Sequence, residues 1–298
     1  MRFLKDVSLA DKNTFRAGGP AAYYCEPGDE SQLIEALHQA SEIGLPVWIL
    51  GNGSNLLMSD QGWPGLVINL SAELTKVNWS ENGVEAGSGT QLNIIVNQSV
   101  SSGIAGMEEL AGIPGTVGGA VIMNAGAFRS CIADTLHLVR YFDLEEDRII
   151  CAKASELQLG YRSCNLRNKP AVILSAAFHF SDRKAPEELS QIRRDILSKR
   201  KAKQPLEYPN CGSVFKRPPG NYAGTLIEQS GLKGMRVGDM EVSIKHANFI
   251  VNRGQGTATD ARRLIIKLQK AVYENSGILL EPEVIFAGQF ADPLYVPS

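Results

Sequence analysis

The sequence predicts an α+β protein built from more than one domain. Short apolar runs typical of strands, such as "HLVRYFDL" at 137–144, alternate with helix-like runs such as "QLNIIVNQSVSSG" at 91–103. The chain has 298 residues, of which 44% are hydrophobic, and this is more than one core usually organises. We therefore expect two or three α+β domains.

The first segment, residues 1–73, contains two strand-like runs, "PVWIL" at 46–50 and "LVINL" at 66–70. A helix is predicted over residues 29–44, where Leu33, Leu37 and Ile43 share roughly one face.

The second segment, residues 74–205, adds the strand-like run "AVILSAAFHF" at 171–180 to those above. A helix is predicted to begin at Pro186 and to be stopped by Pro205. Its apolar residues lie on one side: Leu189, Ile192, Ile196 and Leu197. We place a domain boundary at its end, and we interpret its basic residues as a solvated helix face, with the exception of Lys203.

The third segment, residues 206–281, contains the most strongly patterned helix. Thr257 and Asp260 have the spacing of a capping box, and Gly277 is predicted to end the helix. Its apolar face consists of Ala261, Leu264, Ile265, Leu268 and Val272.

The charge and the termini restrict the class of protein. Thirty basic and 32 acidic residues give a formal net charge of -2, which excludes the strongly basic surface of a dedicated nucleic-acid binder. The N-terminus lacks a signal-peptide pattern, and no apolar run reaches the roughly 20 residues of a membrane helix. We expect a cytoplasmic protein with no membrane insertion.

The cysteines and histidines give no metal or redox motif. The five cysteines lack CxxC spacing, so we interpret them as reduced thiols. The four histidines have no paired ligand spacing, and no metal site is predicted.

Two glycine-rich loops suggest an anion site: "LGNGSNLL" at 50–57 and "GIPGTVGGAVIMNAG" at 112–126. Glycine lets consecutive backbone N–H groups converge on an anionic oxygen, and a short helix in the second loop would add its N-terminus. The alternative is a pair of tight turns packed in a core. Neither loop matches a P-loop or a Rossmann fingerprint.

Six motifs in order resemble the UDP-N-acetylenolpyruvoylglucosamine reductase family. They are "NTFRAGG", "LGNGSNLL", "GIPGTVGGAVIMNAGA", "LGYR", "PNCGSVFKRPPG" and "EPEV". The resemblance implies an FAD-binding fold of the vanillyl-alcohol-oxidase (PCMH) type. FAD-binding subdomain 1 would be residues 1–73, with residues 282–298 returning to it. Residues 74–205 would form FAD-binding subdomain 2, and residues 206–281 an α+β substrate-binding domain.

The resemblance also implies the cofactor contacts, in which the two glycine loops hold the FAD pyrophosphate. Neither loop contains a histidine or cysteine, so we expect FAD to be bound non-covalently. The implied contacts are Gly51, Asn52, Gly53, Ser54, Asn55, Gly112, Pro114, Gly115, Gly118, Gly119, Asn124 and Gly126.

The implied reaction is NADPH-dependent reduction of UDP-N-acetylglucosamine enolpyruvate, with hydride transfer from FAD to the vinyl carbon. By resemblance, Arg162 and Glu283 stabilise the enolate-like intermediate, and Ser213 donates the proton. Alternatively, Arg162 forms a surface ion pair and Ser213 is a turn residue. Lys203 and Lys216 are the cations near Ser213 in sequence that could support it. Cys211, two positions from Ser213, is an intrinsically stronger acid that spacing alone does not exclude.

Four residues are expected to contact the substrate: Lys203, Tyr208, Arg217 and Asn248. The chain resembles the short, second type of the family, which lacks a tyrosine-bearing loop, and we expect a monomer. Two other functions would also explain the glycine loops. One is an FAD-dependent oxidase or dehydrogenase acting on an alcohol or sugar, and the other is a non-catalytic nucleotide-binding protein.

Overall fold

The structure is a computed structural model that describes residues 1–72 and 74–297. Residues 73 and 298, which end two predicted segments, lie outside the described residues. No helix within the described ranges is both long and apolar enough to cross a membrane. The described helices are α1 (Glu30–Glu42), α2 (Leu92–Ser101), α3 (Val117–Ile122), α4 (Pro186–Lys203), α5 (Ala223–Gln229) and α6 (Ala258–Ser276).

The described strands are numbered in chain order. They are β1 (Leu4–Ser8), β2 (Pro20–Cys25), β3 (Val47–Leu50), β4 (Leu56–Met58), β5 (Trp63–Asn69), β6 (Val77–Ser80), β7 (Gly83–Gly87), β8 (Gly126–Ala127), β9 (Ser130–Cys131), β10 (Leu136–Asp143), β11 (Arg148–Lys153), β12 (Ala171–His179), β13 (Arg236–Val237), β14 (Met240–Val242), β15 (Ile250–Asn252) and β16 (Ile285–Ala287).

The chain divides into two compact units, each made of several chain segments. Unit 1 comprises residues 1–3, 25–52 and 67–200, and unit 2 comprises residues 4–24, 53–66 and 201–298. The first glycine loop is thereby split, because Gly51 and Asn52 belong to unit 1 and residues 53–55 to unit 2. The three-segment division made from the sequence stays a prediction.

Unit 1 is built on a five-stranded antiparallel sheet with the order β11-β10-β12-β7-β6. Helices α2 and α3 bury Ile95, Val96 and Val121 in one core with sheet residues such as Val139 and Ile173. Full burial of an aliphatic side chain of this size contributes roughly 1.5–3 kcal/mol. Packing against the sheet therefore fixes α3, the helix that the second glycine loop contains.

Unit 2 has a separate core around α6. This helix packs beside the antiparallel sheet β13-β14-β15, while β4 and β16 form a parallel pair. Asp60 caps the helix from outside, because its carboxylate accepts the backbone N–H groups of Ala258 and Thr259 at 2.8 Å. The helix thus has a fixed start and a buried face.

Most of the elements predicted from the pattern are confirmed. Thr257 and Asp260 form the capping box of α6, and Gly277 ends the helix in the left-handed conformation. The predicted place of Ile43 on the buried face of α1 is wrong. The helix ends at Glu42, so Ile43 is its C-cap and is 63% exposed. The face is buried by Leu33, Ala36, Leu37 and Ala40.

Candidate functional site

Within unit 1, the two glycine loops lie against each other. The Asn52 side-chain amide donates a hydrogen bond to the carbonyl of Pro114, with an N–O distance of 2.8 Å. Gly51 approaches Thr116 so closely that a Cβ on Gly51 would lie 2.5 Å from the Thr116 hydroxyl oxygen. Two stretches more than 60 residues apart in sequence therefore form one local structure.

Helix α3 begins in the second loop at the N-cap Thr116, as the sequence predicted. However, its first three N–H groups donate to protein oxygens: Val117 to Thr90 O at 2.8 Å, Gly118 to Ser88 O at 2.9 Å, and Gly119 to Thr116 Oγ1 at 3.4 Å. The expectation that this helix N-terminus offers these donors to an anion is therefore wrong. In the described part of the chain, the N–H groups of Gly115 and Thr116 remain without a hydrogen bond.

A basic side chain lies against the start of the second loop. Gly112 has φ +79, a conformation that strains other residues, and a Cβ there would lie 2.9 Å from Arg200 Cδ. Burial lowers the pKa of the Arg200 guanidinium. Arg200 was expected on a solvated helix face, and this expectation is wrong because its side chain packs on the loop.

Two buried hydroxyls flank the second loop. Ser88 is 1% exposed and Thr90 is fully buried, and neither hydroxyl has a hydrogen-bond partner among the described residues. Leaving such a group unpaired costs about 1–3 kcal/mol, so a polar ligand that bonds to it would offset this cost. The sequence analysis missed these residues. The stretch "GSGT" at 87–90, at the end of β7, was the available signal.

These features test whether FAD fits the loops. A Cβ on Gly119 would meet only the hydroxyl oxygen of Thr116, the N-cap residue of α3, at 3.5 Å. Protein packing therefore does not require glycine at this position. A ligand rich in phosphate and hydroxyl oxygens suits this place in the fold. The protein offers it glycine backbone, the unbonded N–H groups of residues 115 and 116, and the unpaired hydroxyls of Ser88 and Thr90. The residues of unit 1 therefore fit the group that the motifs imply.

Arg162 occupies the tip of a tight turn. Gly160 and Ser163 pair through two backbone hydrogen bonds of 3.0 and 3.2 Å, which leaves Tyr161 and Arg162 between them. Arg162 has φ +53, a left-handed conformation that costs a non-glycine residue about 1–3 kcal/mol and often marks functional sites.

The turn is joined to the end of the second glycine loop. Arg162 Nη2 donates to the carbonyl of Gly126 at 3.1 Å, and the Asn124 amide donates to the carbonyl of Gly160 at 2.9 Å. The Arg162 guanidinium also lies 5.1 Å from the centroid of the Tyr161 ring. Residues singled out from two separate motifs, Asn124 and Gly126 from the second glycine loop and Arg162 from "LGYR", therefore share one site.

Unit 2 brings Ser213 and Glu283 together. The Glu283 N–H donates to the carbonyl of Val214 at 2.8 Å, so the two predicted catalytic residues lie on adjacent backbone segments. The Asn55 amide donates to the carbonyl of Glu283 at 3.2 Å, which attaches residue 55 of the first glycine loop to the same segment. Both Ser213 and Glu283 are half-buried.

The neighbours of Ser213 and Glu283 differ in environment. Cys211 is 2% exposed, and burial, with a smaller contribution from Glu283, raises the pKa of its thiol to about 12. Glu281 forms an exposed ion pair with Lys216. The Cys211 thiol is therefore buried in the core, and its raised pKa removes the greater acidity that a thiol normally has over a hydroxyl. The Lys216 ammonium, a candidate support for Ser213, is bonded to Glu281.

The four predicted substrate residues are all in unit 2. Lys203 is exposed at the end of α4, while Tyr208 and Arg217 each take part in a cation–π contact at 4.1 Å, with Arg253 and Tyr222 respectively. Asn248 is buried, and its amide bonds to both the N–H and the carbonyl of Phe215. Asn248 thus fixes the segment that follows Ser213, and its contact with substrate stays a prediction.

Comparison with known proteins gives two family matches. Residues 21–152 match the model of an FAD binding domain. Residues 204–287 match the C-terminal domain of UDP-N-acetylenolpyruvoylglucosamine reductase.

Similar proteins of known name extend over the whole chain. UDP-N-acetylenolpyruvoylglucosamine reductase of Caldicellulosiruptor saccharolyticus is 42% identical over 100% of this chain and 96% of its own. The protein of that name from Synechococcus sp. is 42% identical over 98% of this chain and 94% of its own. The crystal structure of UDP-N-acetylenolpyruvylglucosamine reductase from Thermus caldophilus superposes with a TM-score of 0.81 at 35% identity, covering 97% of this chain and 100% of the other.

These matches confirm the predicted fold class, an α+β FAD-binding fold, and FAD as the cofactor. They name no individual site residue, so the roles of the residues described above stay predictions.

Proposed function

Because the chain belongs to the UDP-N-acetylenolpyruvoylglucosamine reductase family, we propose that it reduces UDP-N-acetylglucosamine enolpyruvate to UDP-N-acetylmuramate with NADPH. This reaction serves the synthesis of peptidoglycan precursors. Family membership rests on the full-length similarity. The observation that supports the chemistry in this chain is the attachment of the Arg162 turn to the second glycine loop.

The residues proposed to hold FAD are the twelve positions of the two glycine loops, to which the structure adds the Ser88 and Thr90 hydroxyls. When bound, FAD would accept a hydride from NADPH and deliver it to the vinyl carbon of the substrate. The protein contributes the unbonded backbone N–H groups of Gly115 and Thr116, on a loop whose shape is held by its other hydrogen bonds. We propose non-covalent binding, because neither loop offers a histidine or cysteine.

Arg162 is proposed to bind the substrate carboxylate and to stabilise the negative charge that develops next to it. The guanidinium fork can hold a carboxylate at two points, which a lysine ammonium cannot. The hydrogen bond to Gly126 and the Tyr161 ring restrict its position in advance of binding. Such pre-organised charge is usually a large contribution to catalysis.

Ser213 is proposed to donate the proton to the substrate carbon, with Glu283 as the acidic partner. The pairing of their backbones holds both side chains on adjacent segments. Burial of Cys211 favours the serine over the thiol as proton donor. The motif "EPEV" favours Glu283 over Glu281 by resemblance, and the Glu281 carboxylate is exposed in an ion pair with Lys216.

Substrate binding is proposed to involve Lys203, Tyr208, Arg217 and Asn248. Lys203 offers an exposed ammonium for the diphosphate of the nucleotide sugar. Asn248 would act mainly by holding the backbone of Phe215, two residues beyond Ser213. We further propose that the protein is a cytoplasmic monomer and that the division at residues 73, 205 and 281 reflects its domains.

An anaerobic redox cycle tests the function. NADPH should bleach the flavin absorbance of the holoenzyme, and the enolpyruvyl substrate should restore it in the absence of oxygen. An oxidase would need oxygen for this recovery, and a non-catalytic nucleotide-binding protein would show no cycle. Failure of the substrate to restore the absorbance would overturn the proposed reaction.

A further inference from the structure

Arg253 lies in contact with one of the proposed substrate residues. Its guanidinium carbon is 4.1 Å from the centroid of the Tyr208 ring. It is held by the loop after β15, where its own N–H donates to the Asp239 carbonyl at 2.8 Å. The Asn252 side chain accepts the N–H groups of Gly254 and Gly256, which fixes the same loop. Hydrogen bonds therefore fix the backbone of this loop, and the Arg253 side chain is stacked on the Tyr208 ring.

A buried carboxylate orients this guanidinium without using its donors. Glu241 is 7% exposed and forms its direct ion pair with Arg236. Arg253 Nε lies 3.9 Å from Glu241, which is too long for a hydrogen bond but close enough for attraction. Arg236 thus satisfies the buried charge, and Arg253 is drawn toward it by electrostatics.

The donors of Arg253 remain unused. Within the residues that the structure describes, its guanidinium donates no hydrogen bond, although it carries five N–H groups. Its side chain is one-third exposed. A planar cation stacked on an aromatic ring, with its fork unoccupied, is suited to a phosphate group.

The surrounding charge favours an anion. Glu207, next to Tyr208, forms an ion pair with Lys245 at 3.3 Å. A backbone hydrogen bond, with smaller contributions from the charges of Lys245 and Arg253, lowers the pKa of the Glu207 carboxyl. Lys203 lies five positions before Tyr208. The four cations Lys203, Lys245, Arg236 and Arg253 outnumber the three carboxylates Glu207, Asp239 and Glu241. The segment around Tyr208 is thus locally positive in a chain whose formal net charge is -2.

We propose that Arg253 is a further ligand-binding residue that grips a phosphate group of a bound nucleotide, and that Tyr208 and Glu241 position it. This inference rests on the proposed function, which supplies two such nucleotides. One is the uridine diphosphate part of the substrate, and the other is NADPH with its adenosine 2′-phosphate. The uridine diphosphate is the source favoured here, because Lys203 and Tyr208 belong to the proposed substrate contacts.

The test is equilibrium binding to the FAD-loaded enzyme by calorimetry, with UDP and adenosine 2′,5′-bisphosphate as probes. Loss of a charge-assisted contact of about 1.5–3 kcal/mol predicts that Arg253→Gln raises the Kd of UDP by roughly 10- to 100-fold. Raising the salt concentration should narrow the difference from wild type, because a one-third exposed charge is screened. A purely structural role would not produce this salt dependence.

Arg263→Gln is the matched control, because it removes the same charge from an exposed arginine of the same unit that pairs with Asp292. Its effect on the Kd of UDP should stay below about fivefold. Glu241→Gln should give a smaller rise than Arg253→Gln, since it loosens the orientation and leaves the fork intact. If Arg253→Gln does not fold, Arg253→Lys keeps the charge but removes the fork, and should still weaken binding.

A rise for the bisphosphate alone would support the phosphate site and assign it to NADPH. Unchanged binding of both probes by a folded variant would overturn the inference. That outcome is separate from failure of the proposed function, which is judged by whether wild-type flavin is reoxidised by the enolpyruvyl substrate.

Discussion

Removal of the Ser213 hydroxyl tests the proposed proton transfer most directly. In Ser213→Ala the backbone pairing with the Glu283 segment is retained, because the hydrogen bond uses the Val214 carbonyl. Only the donor is lost. General acid catalysis typically contributes 10²–10⁴-fold, which at 1.36 kcal/mol per tenfold is roughly 3–5 kcal/mol of barrier. We expect the step that needs this proton to slow by that factor.

The assay separates the two half-reactions by rapid mixing without oxygen. Bleaching of the flavin by NADPH needs no proton at the substrate carbon, so it should proceed at the wild-type rate in Ser213→Ala. Recovery of the flavin absorbance on adding the enolpyruvyl substrate needs that proton and should slow by roughly 10²–10⁴-fold.

Cys211→Ala serves as the control for the neighbouring thiol. Cys211 lies in the core of unit 2 and is 2% exposed, and its pKa is raised to about 12. Its removal should cost about 1 kcal/mol of stability through a small cavity, with both half-reactions near wild type. Normal recovery in Ser213→Ala combined with a stalled Cys211→Ala would refute the reasoning and assign the proton to the thiol.

Four further predictions follow from the same geometry. Arg162→Lys should slow recovery of the flavin by about two orders of magnitude or more, because lysine lacks the fork, and near-normal rates would remove Arg162 from the mechanism. Asp60→Ala should lower the free energy of unfolding in urea by about 1–2 kcal/mol, since the N-terminus of α6 loses its external cap, and an unchanged midpoint would contradict this. Acid denaturation should release intact FAD, because neither glycine loop has a histidine or cysteine to link it covalently. The mass of the remaining polypeptide should equal that of the sequence, and an added mass of FAD would contradict this. Burial lowers the pKa of His246 in the folded state, so the unfolded chain binds the proton more tightly, and stability should fall as the pH drops through about 6.5. In His246→Asn, which keeps an acceptor for the Asn248 N–H, this loss in urea titrations should be smaller, and an equal loss would exclude His246 as its source.

The elements that the sequence predicted well are those whose signals are local. Helix α6 carries a capping box, an apolar face at helical spacing and a terminal glycine, and all three appear as expected. The strands β10 and β12 are rich in apolar residues, and side chains such as Val139 and Ile173 are buried in the core of unit 1. The prediction for Ile43 failed because the apolar pattern continues one residue past the end of α1, where the side chain no longer faces the core.

The candidate site was predicted less completely, because its decisive contacts join distant residues. No local pattern could show that Arg162 donates to Gly126, or that Arg200 packs on Gly112. The orphaned hydroxyls of Ser88 and Thr90 are recognisable only once burial and hydrogen bonds are known.

The two glycine loops show how far local reasoning reaches. The sequence indicated exposed backbone donors throughout the second loop, yet the protein itself uses the N–H groups of Gly112, Gly118 and Gly119. Those bonds hold the loop in one shape, while Gly115 and Thr116 keep their N–H groups unbonded in the described structure. A loop whose glycines were all ligand donors would have little to hold its own shape. We propose that some glycines shape the loop while Gly115 and Thr116 supply the donors, so that the backbone could bind an oxyanion without rearranging, with the positive charge of Arg200 beside it.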